Sequence, residues 1–89
     1  MIVNIHNVVE SRSERFGTLY VSSIWILGPR SDERDKLVNN ISEMIKEYEG
    51  IVSVTPFEAS ILVSSSFKYR EAAEACRANL KLEYGNQKS

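Results

Sequence analysis

Residues 19 to 28, LYVSSIWILG, restrict the fold most, because they have the composition of a β-strand without its usual alternation of apolar and polar residues. The side chains on its two sides are Leu19, Val21, Ser23, Trp25 and Leu27 on one, and Tyr20, Ser22, Ile24 and Ile26 on the other. Both sides become apolar toward Leu27. We therefore expect an interior strand that covers the core with one side and meets something else with the other.

The size and composition of the chain predict one globular domain. Its 89 residues suffice for one hydrophobic core and are too few for two. Hydrophobic residues make up 43% and charged residues 26%, which are ordinary values for a globular protein. We expect a single domain over residues 1–85 and a disordered C-terminal tail, NQKS, over residues 86–89.

The segment from Asp32 to Glu49 has the spacing of an amphipathic helix. Its apolar residues recur on one stripe with a period of 3.6, at Leu37, Val38, Ile41, Met44, Ile45 and Tyr48. Ser31 stands at the N-cap position, and Gly50 supplies a stop. Acidic residues in the first turn stabilise the helix by interacting with the positive end of its dipole.

Two apolar runs, IVSVT (51–55) and ASILVSS (59–65), flank Pro56-Phe57 and predict a second hairpin. With a two-residue turn, Val54 lies opposite Ala59 and Val52 opposite Ile61. The residues that this register places on the core side are Val52, Val54, Ala59, Ile61 and Val63. A slip of one residue would reverse the assignment.

The remaining segments complete an α+β domain of element order ββαββα. Residues 2–9 read as a strand, residues 10–15 (ESRSER) as a polar loop, and residues 67 to about 84 as a second helix. We expect a four-stranded antiparallel sheet with both helices on one face, a circularly permuted ferredoxin-like arrangement. The LYVSSIWILG strand then lies between the first strand and the ASILVSS strand.

The sequence offers little to build an enzyme from. His6 is the single histidine and Cys76 the single cysteine, and we interpret them as an ordinary strand residue and a buried small side chain. Asp32, Glu33 and Asp35 lack the spacing of a calcium loop and fit the start of a helix. We predict no catalytic residues, no metal site and no cofactor.

Charge and hydropathy limit the partners and the compartment. A formal net charge of −1 provides no global field for nucleic acid. The candidates for a weak anion site are Arg12, Arg15 and Arg30. The opening MIVNIHNVVE lacks the apolar run of a signal peptide, and no stretch approaches a membrane span, so we expect a cytoplasmic protein without membrane contact.

The apolar sheet residues predict a surface for a partner. The expected interface residues are Tyr20, Ile24, Trp25, Ile26, Ile51, Phe57 and Leu62. Tyr20 and Trp25 point to opposite faces unless Ser22-Ser23 forms a bulge, so the pattern leaves open whether Ile24 and Ile26 or Trp25 and Leu27 face outward. We expect a non-enzymatic regulatory or inhibitory module that binds protein, first of all a second copy of itself. The alternative is a single-stranded RNA-binding domain that uses sheet aromatics.

Overall fold

A computed structural model describes residues 1–85, which form one α+β domain with a five-stranded antiparallel sheet and two helices. The elements in chain order are β1 (Ile2–Ile5), β2 (Val9–Ser13), β3 (Gly17–Leu27), α1 (Asp32–Glu47), β4 (Ile51–Pro56), β5 (Ser60–Phe67) and α2 (Arg70–Tyr84). The sheet order is β1-β3-β5-β4, and β2 pairs with β3 beyond the end of β1. The predicted tail, residues 86–89, lies outside the described residues.

The fifth strand arises because the predicted first strand is interrupted. Ile5 pairs with Ile24 and Val9 with Val21, so three residues on one strand lie opposite two on β3. This extra residue is a β-bulge, which reverses the side to which side chains point in β2 relative to β1. The prediction of a polar loop over residues 10–15 is wrong, because β2 continues through Ser13 and the turn comprises residues 14–16.

β3 itself is regular. It pairs with β5 without interruption from Tyr20 opposite Phe67 to Leu27 opposite Ser60. The sequence suggested a bulge at Ser22-Ser23 of β3. The bulge is instead in the neighbouring strand, at residues 6–8, which lie opposite these two serines. The backbone N–H of His6 donates to the carbonyl of Ser23 at 2.9 Å, which ties the bulge to β3.

Both helices pack on one face of the sheet. The residues that form the common core are Val3, Ile24, Ile26, Leu37, Val38, Ile41, Ile45, Ile61, Val63, Phe67, Ala73, Cys76 and Leu80. Helix α1 begins as predicted, with the Ser31 hydroxyl accepting the backbone N–H of Arg34 at 3.1 Å. Helix α2 begins three residues later than predicted, because Phe67 is the last residue of β5 and is buried in the core.

The second hairpin has a longer connection than predicted. Pro56 pairs with Ile61 and Val54 with Val63, so residues 57–60 separate the paired positions and the predicted two-residue turn is wrong. The register is displaced by an even number of residues, so Val52, Ile61 and Val63 still face the helices as expected. Val54 is on the same side of the sheet but remains 42% exposed, so it does not join the core. The prediction that Ala59 lies on the core side is wrong, because Ala59 is exposed in the loop.

Candidate functional site

The second face of the sheet is the surface that the fold leaves available. We call it the open face and define it by the strand residues whose register places them opposite the helix side. They are Ile2, Asn4, Val9, Ser11, Ser13, Gly17, Leu19, Val21, Ser23, Trp25, Leu27, Ile51, Ser53, Thr55, Ser60, Leu62, Ser64 and Ser66. Within residues 1–85, neither helix packs on this face.

Within residues 1–85, the strand positions of the open face are uncharged and combine large apolar side chains with serine, threonine and asparagine. Ile51 is 59% exposed, Val9 57% and Leu27 38%. Among residues 1–85, no strand residue on the open face is Asp, Glu, Lys or Arg, although charged residues make up 26% of the chain. Large side chains without charges to keep them solvated are a property of surfaces that bind another molecule.

The structure divides the predicted interface residues between the two sides of the sheet. Trp25, Ile51 and Leu62 lie on the open face, and Phe57 lies at its end in the β4–β5 loop. The prediction that Ile24 and Ile26 are interface residues is wrong, because both are completely buried beneath the helices. The prediction is also wrong for Tyr20, which lies on the helix side because it pairs with the buried Phe67, and whose ring lies below the guanidinium of Arg70.

Trp25 and Phe57 form an aromatic pair at one end of the open face. Their ring centroids are 6.0 Å apart with an interplanar angle of 26°, a stacked arrangement. Phe57 remains 46% exposed. The pair therefore remains partly accessible at this end of the open face.

A buried arginine holds the loop that carries Phe57. The Arg34 side chain is 3% exposed, and its Nη1 donates to the carbonyls of Gly28, Phe57 and Glu58 at 3.0, 3.2 and 3.3 Å. Its Nε is buried without a hydrogen-bond partner among residues 1–85. Hydrogen bonds from a charged donor are stronger than neutral ones. Arg34 therefore holds the loop that carries Phe57 against the first turn of α1.

A cavity lies at the other end of the open face. It has a volume of about 280 Å³, and its lining includes Phe16, Leu19, Tyr48, Ile51 and Tyr69. Phe16 and Tyr69 are 63% and 68% exposed at its mouth. Leu19 and Ile51 belong to the open face, whereas Phe67 and Ala72, which also line the cavity, belong to the helix side. The cavity therefore lies at the end of the sheet, between its two sides.

A row of serines separates these two ends. Ser23 pairs with Ser64, and Ser64 pairs with Ser53, so the three side chains lie side by side across β3, β5 and β4. We call them the serine row. Their small hydroxyl groups can both donate and accept hydrogen bonds.

Of the two residues considered for chemistry, His6 contributes its backbone to the bulge and Cys76 lies in the core. The carbonyl of His6 accepts hydrogen bonds from the Ser22 hydroxyl at 3.0 Å and from Arg77 Nε at 2.9 Å, which stabilise the bulge. Cys76 is buried in the core, and burial raises the pKa of its thiol to about 11. At neutral pH the thiol is therefore protonated and is a poor nucleophile.

The three arginines of the predicted anion site are not brought together. Arg12 is in β2 and Arg15 in the turn before β3, where its guanidinium lies 5.7 Å from the Phe16 ring centroid. Arg30 lies beyond the opposite end of β3, in an open groove of about 620 Å³ that Asp35 also lines. Within residues 1–85, no group of three or more His, Cys, Asp or Glu side chains is placed to hold a metal ion.

Several residues of the open face were missing from the predicted interface. Leu19, Val21 and Leu27 have the same parity as Trp25, so the alternation along β3 identifies them once the direction of Trp25 is known. Val9 had no such signal, because it reaches the open face only through the bulge.

Comparison of the chain with models of protein families, with curated proteins and with solved structures found no match. Neither helix of residues 1–85 has the length and apolar character needed to cross a bilayer.

Proposed function

We propose that this chain is a non-enzymatic protein-interaction module that works through its open face and forms a homodimer there. The observation that carries the proposal is the combination of large exposed apolar side chains with the absence of charge on the strand residues of that face, within residues 1–85. Transfer of apolar area out of water stabilises association by roughly 25 cal/mol per Å² before the costs of binding are counted.

The size of the open face is at the lower end of what a stable interface needs. Four strands about 4.8 Å apart and eight residues of about 3.4 Å each span roughly 500 Å² when treated as flat. Side-chain relief raises the accessible area above this value, toward the roughly 800 Å² that each partner buries in a standard interface. The largest apolar patch of a typical monomer is about 300–600 Å².

The lack of charge supports a second copy as the partner. Two copies that bring the same charged patch together repel each other, whereas an uncharged face can meet itself without that penalty. The hydroxyl groups of the open face are also compatible with themselves, because each can donate and accept.

The biological role that fits this surface is a small regulatory or inhibitory subunit in the cytoplasm. A dimer formed through the open faces presents the helices, with their charged outer surfaces, to other macromolecules. We also propose that the sheet follows the permuted ferredoxin-like arrangement, with β1 and β2 acting together as one interrupted strand.

Sedimentation of glutamate variants tests the homodimer. We expect the wild type to be a dimer, and Trp25→Glu and Ile51→Glu to be folded monomers, because each places a charge in the apolar interface. Leu82→Glu is the matched control, since Leu82 is 79% exposed on α2, on the other side of the molecule. A wild-type protein that sediments as a monomer at every concentration would contradict the proposal.

Binding of single-stranded RNA is the second candidate function. The observation in its favour is the stacked pair of the half-buried Trp25 on the sheet and the exposed Phe57 beside it, because bases stack on such aromatics. The uncharged strand residues around it, within residues 1–85, provide nothing to neutralise phosphates. Titration of RNA at low salt while following Trp25 fluorescence distinguishes the two, and we expect no change.

A further inference from the structure

We infer that the outer edge of β4, together with the groove beside it, binds an extended segment of a partner protein that carries a carboxylate. The inference goes beyond the proposed homodimer, because it uses the helix side of the molecule rather than the open face. β4 is the last strand in the sheet order, so within residues 1–85 its outer edge pairs with no other strand.

The backbone of β4 presents unpaired hydrogen-bonding groups along this edge. The N–H of Phe57 donates to the carbonyl of Ser60 at 2.7 Å, so residue 57 directs its backbone toward β5. Because successive residues of an antiparallel strand alternate in this direction, the N–H and carbonyl groups of Val52 and Val54 point outward, as does the carbonyl of Pro56. An added peptide strand pairs with alternating donors and acceptors of this kind.

The opposite edge of the sheet is protected against such an addition, and β4 is not. β1 and β2 are short, are interrupted by the bulge, and include Glu10 and Arg12. Short strands, bulges and charged side chains all discourage a further strand. β4 pairs with β5 without interruption, and none of its six residues, IVSVTP, is charged. Its proline, Pro56, comes last, and the N–H that it lacks would point outward rather than toward β5.

The groove lies on the helix side of β4. It has a volume of about 620 Å³, and its apolar lining includes Val38 of α1, Ile61 of β5, and Val54 and Pro56 of β4. Val54 points to the helix side and is nevertheless exposed, so α1 leaves it uncovered. A strand added to β4 places every second side chain on this side, where it covers Val54 and occupies the groove.

An arginine that lines the groove has an unsatisfied donor. Arg34 is 3% exposed, its Nη1 holds the β4–β5 loop, and its Nε is buried with no hydrogen-bond partner within residues 1–85. A buried donor without an acceptor costs free energy, which a carboxylate recovers by accepting its hydrogen bond. Two guanidinium groups and one carboxylate, those of Arg30, Arg34 and Asp35, line the groove. The positive charge is therefore in excess and favours an acidic side chain on the added strand.

This charge requirement favours a different protein over a second copy of the chain. The β4 strand of a second copy would bring IVSVTP to the edge, which contains no carboxylate to meet Arg34. Pairing of β4 with the opposite edge of another copy would repeat without closing and would produce a fibre. The occupant is therefore an extended segment of another protein, in which apolar residues flank an acidic one on the same side of the strand.

Two synthetic peptides test the inference without altering the protein. The first is fluorescein-labelled TVTETVT, whose glutamate and two valines share one side of an extended strand. The second is TVTQTVT, in which glutamine replaces the glutamate and removes the charge. We expect the first to bind the wild type in a fluorescence anisotropy titration, and the second to bind about tenfold more weakly, because it loses a charge-assisted hydrogen bond.

Two variants at one position test the pairing of strands. Val54→Pro removes the outward N–H and should stay folded, because that N–H makes no hydrogen bond with β5. Val54→Ala keeps the N–H and is the matched control, since both variants lose the valine side chain. We expect Val54→Pro to bind the glutamate peptide about fivefold more weakly than Val54→Ala, which corresponds to one backbone hydrogen bond. Circular dichroism verifies that both variants are folded.

The outcomes separate this inference from its alternatives and from the proposed function. Absence of saturable binding, equal affinity of the two peptides, or equal affinity of the two Val54 variants overturns the inference. A wild type that sediments as a species larger than a dimer, and that Val54→Pro returns to a dimer, shows that a second copy occupies the edge and also overturns it. Trp25→Glu, the expected monomer, should bind the glutamate peptide as the wild type does. Loss of binding in that variant places the peptide on the open face and overturns the inference, while the proposed homodimer is judged by sedimentation alone.

Discussion

Glu49 is the residue at which the chain leaves α1 for β4, and it adopts the left-handed conformation with φ of 62°. The N–H groups of Glu49 and Gly50 donate to the carbonyls of Lys46 and Ile45, which is the hydrogen-bond pattern of a Schellman motif. Gly50 was predicted as the helix stop, yet the positive φ falls on Glu49. Gly50 is needed for space, because a Cβ there would lie 2.5 Å from Phe67 Cε1.

Substitutions at Glu49 and Gly50 test these two requirements, and we expect them to change stability in opposite directions. We expect Glu49→Gly to stabilise the fold by about 1 kcal/mol, because glycine has no steric cost at positive φ. We expect Gly50→Ala to destabilise it by about 1–3 kcal/mol through overlap with Phe67 and Ile45. Urea unfolding at one fixed protein concentration measures both. Glu49→Ala, which removes the carboxylate and keeps Cβ, is the control and should show no gain.

At the scale of elements, local patterns predicted the helices better than the strands. The 3.6-residue stripe and Ser31 predicted α1 to within two residues, because these signals lie within the helix itself. The parity of β4 and β5 also followed from the sequence. The outward side of β3 did not, since Ile24-Ile26 and Trp25-Leu27 are equally apolar and only the pairing with Ile61 and Val63 decides between them.

The bulge had no signal in the sequence for a related reason. Residues 6–8 carry none of the glycines that often mark such a site. Its stabilising contacts are distant in the chain: Arg77 donates from α2 to the carbonyl of His6 and to Asn7 Oδ1 at 2.8 Å. The division of the first strand into β1 and β2, and the position of Val9 on the open face, therefore depend on tertiary contacts. The periodicity of the sequence carries no information about such contacts.

The β4–β5 loop depends on another element, and this dependence can be measured. We expect Arg34→Met to destabilise the domain by about 2–4 kcal/mol, because it keeps the aliphatic stem and leaves the carbonyls of Gly28, Phe57 and Glu58 without their donor. Freed from this tether, Phe57 should separate from Trp25, with a change in tryptophan emission. Arg30→Met, in the neighbouring exposed segment, is the control. Equal unfolding midpoints for the two variants would show that the tether has no energetic role.

At the scale of the whole molecule, charge and shape are segregated. The chain carries 11 Lys and Arg and 12 Asp and Glu, and those within residues 1–85 lie away from the strand positions of the open face. The helices thus face water, while the open face carries apolar side chains interspersed with hydroxyl groups. This segregation is what we expect of the proposed module, which would meet water with one surface and a partner with the other.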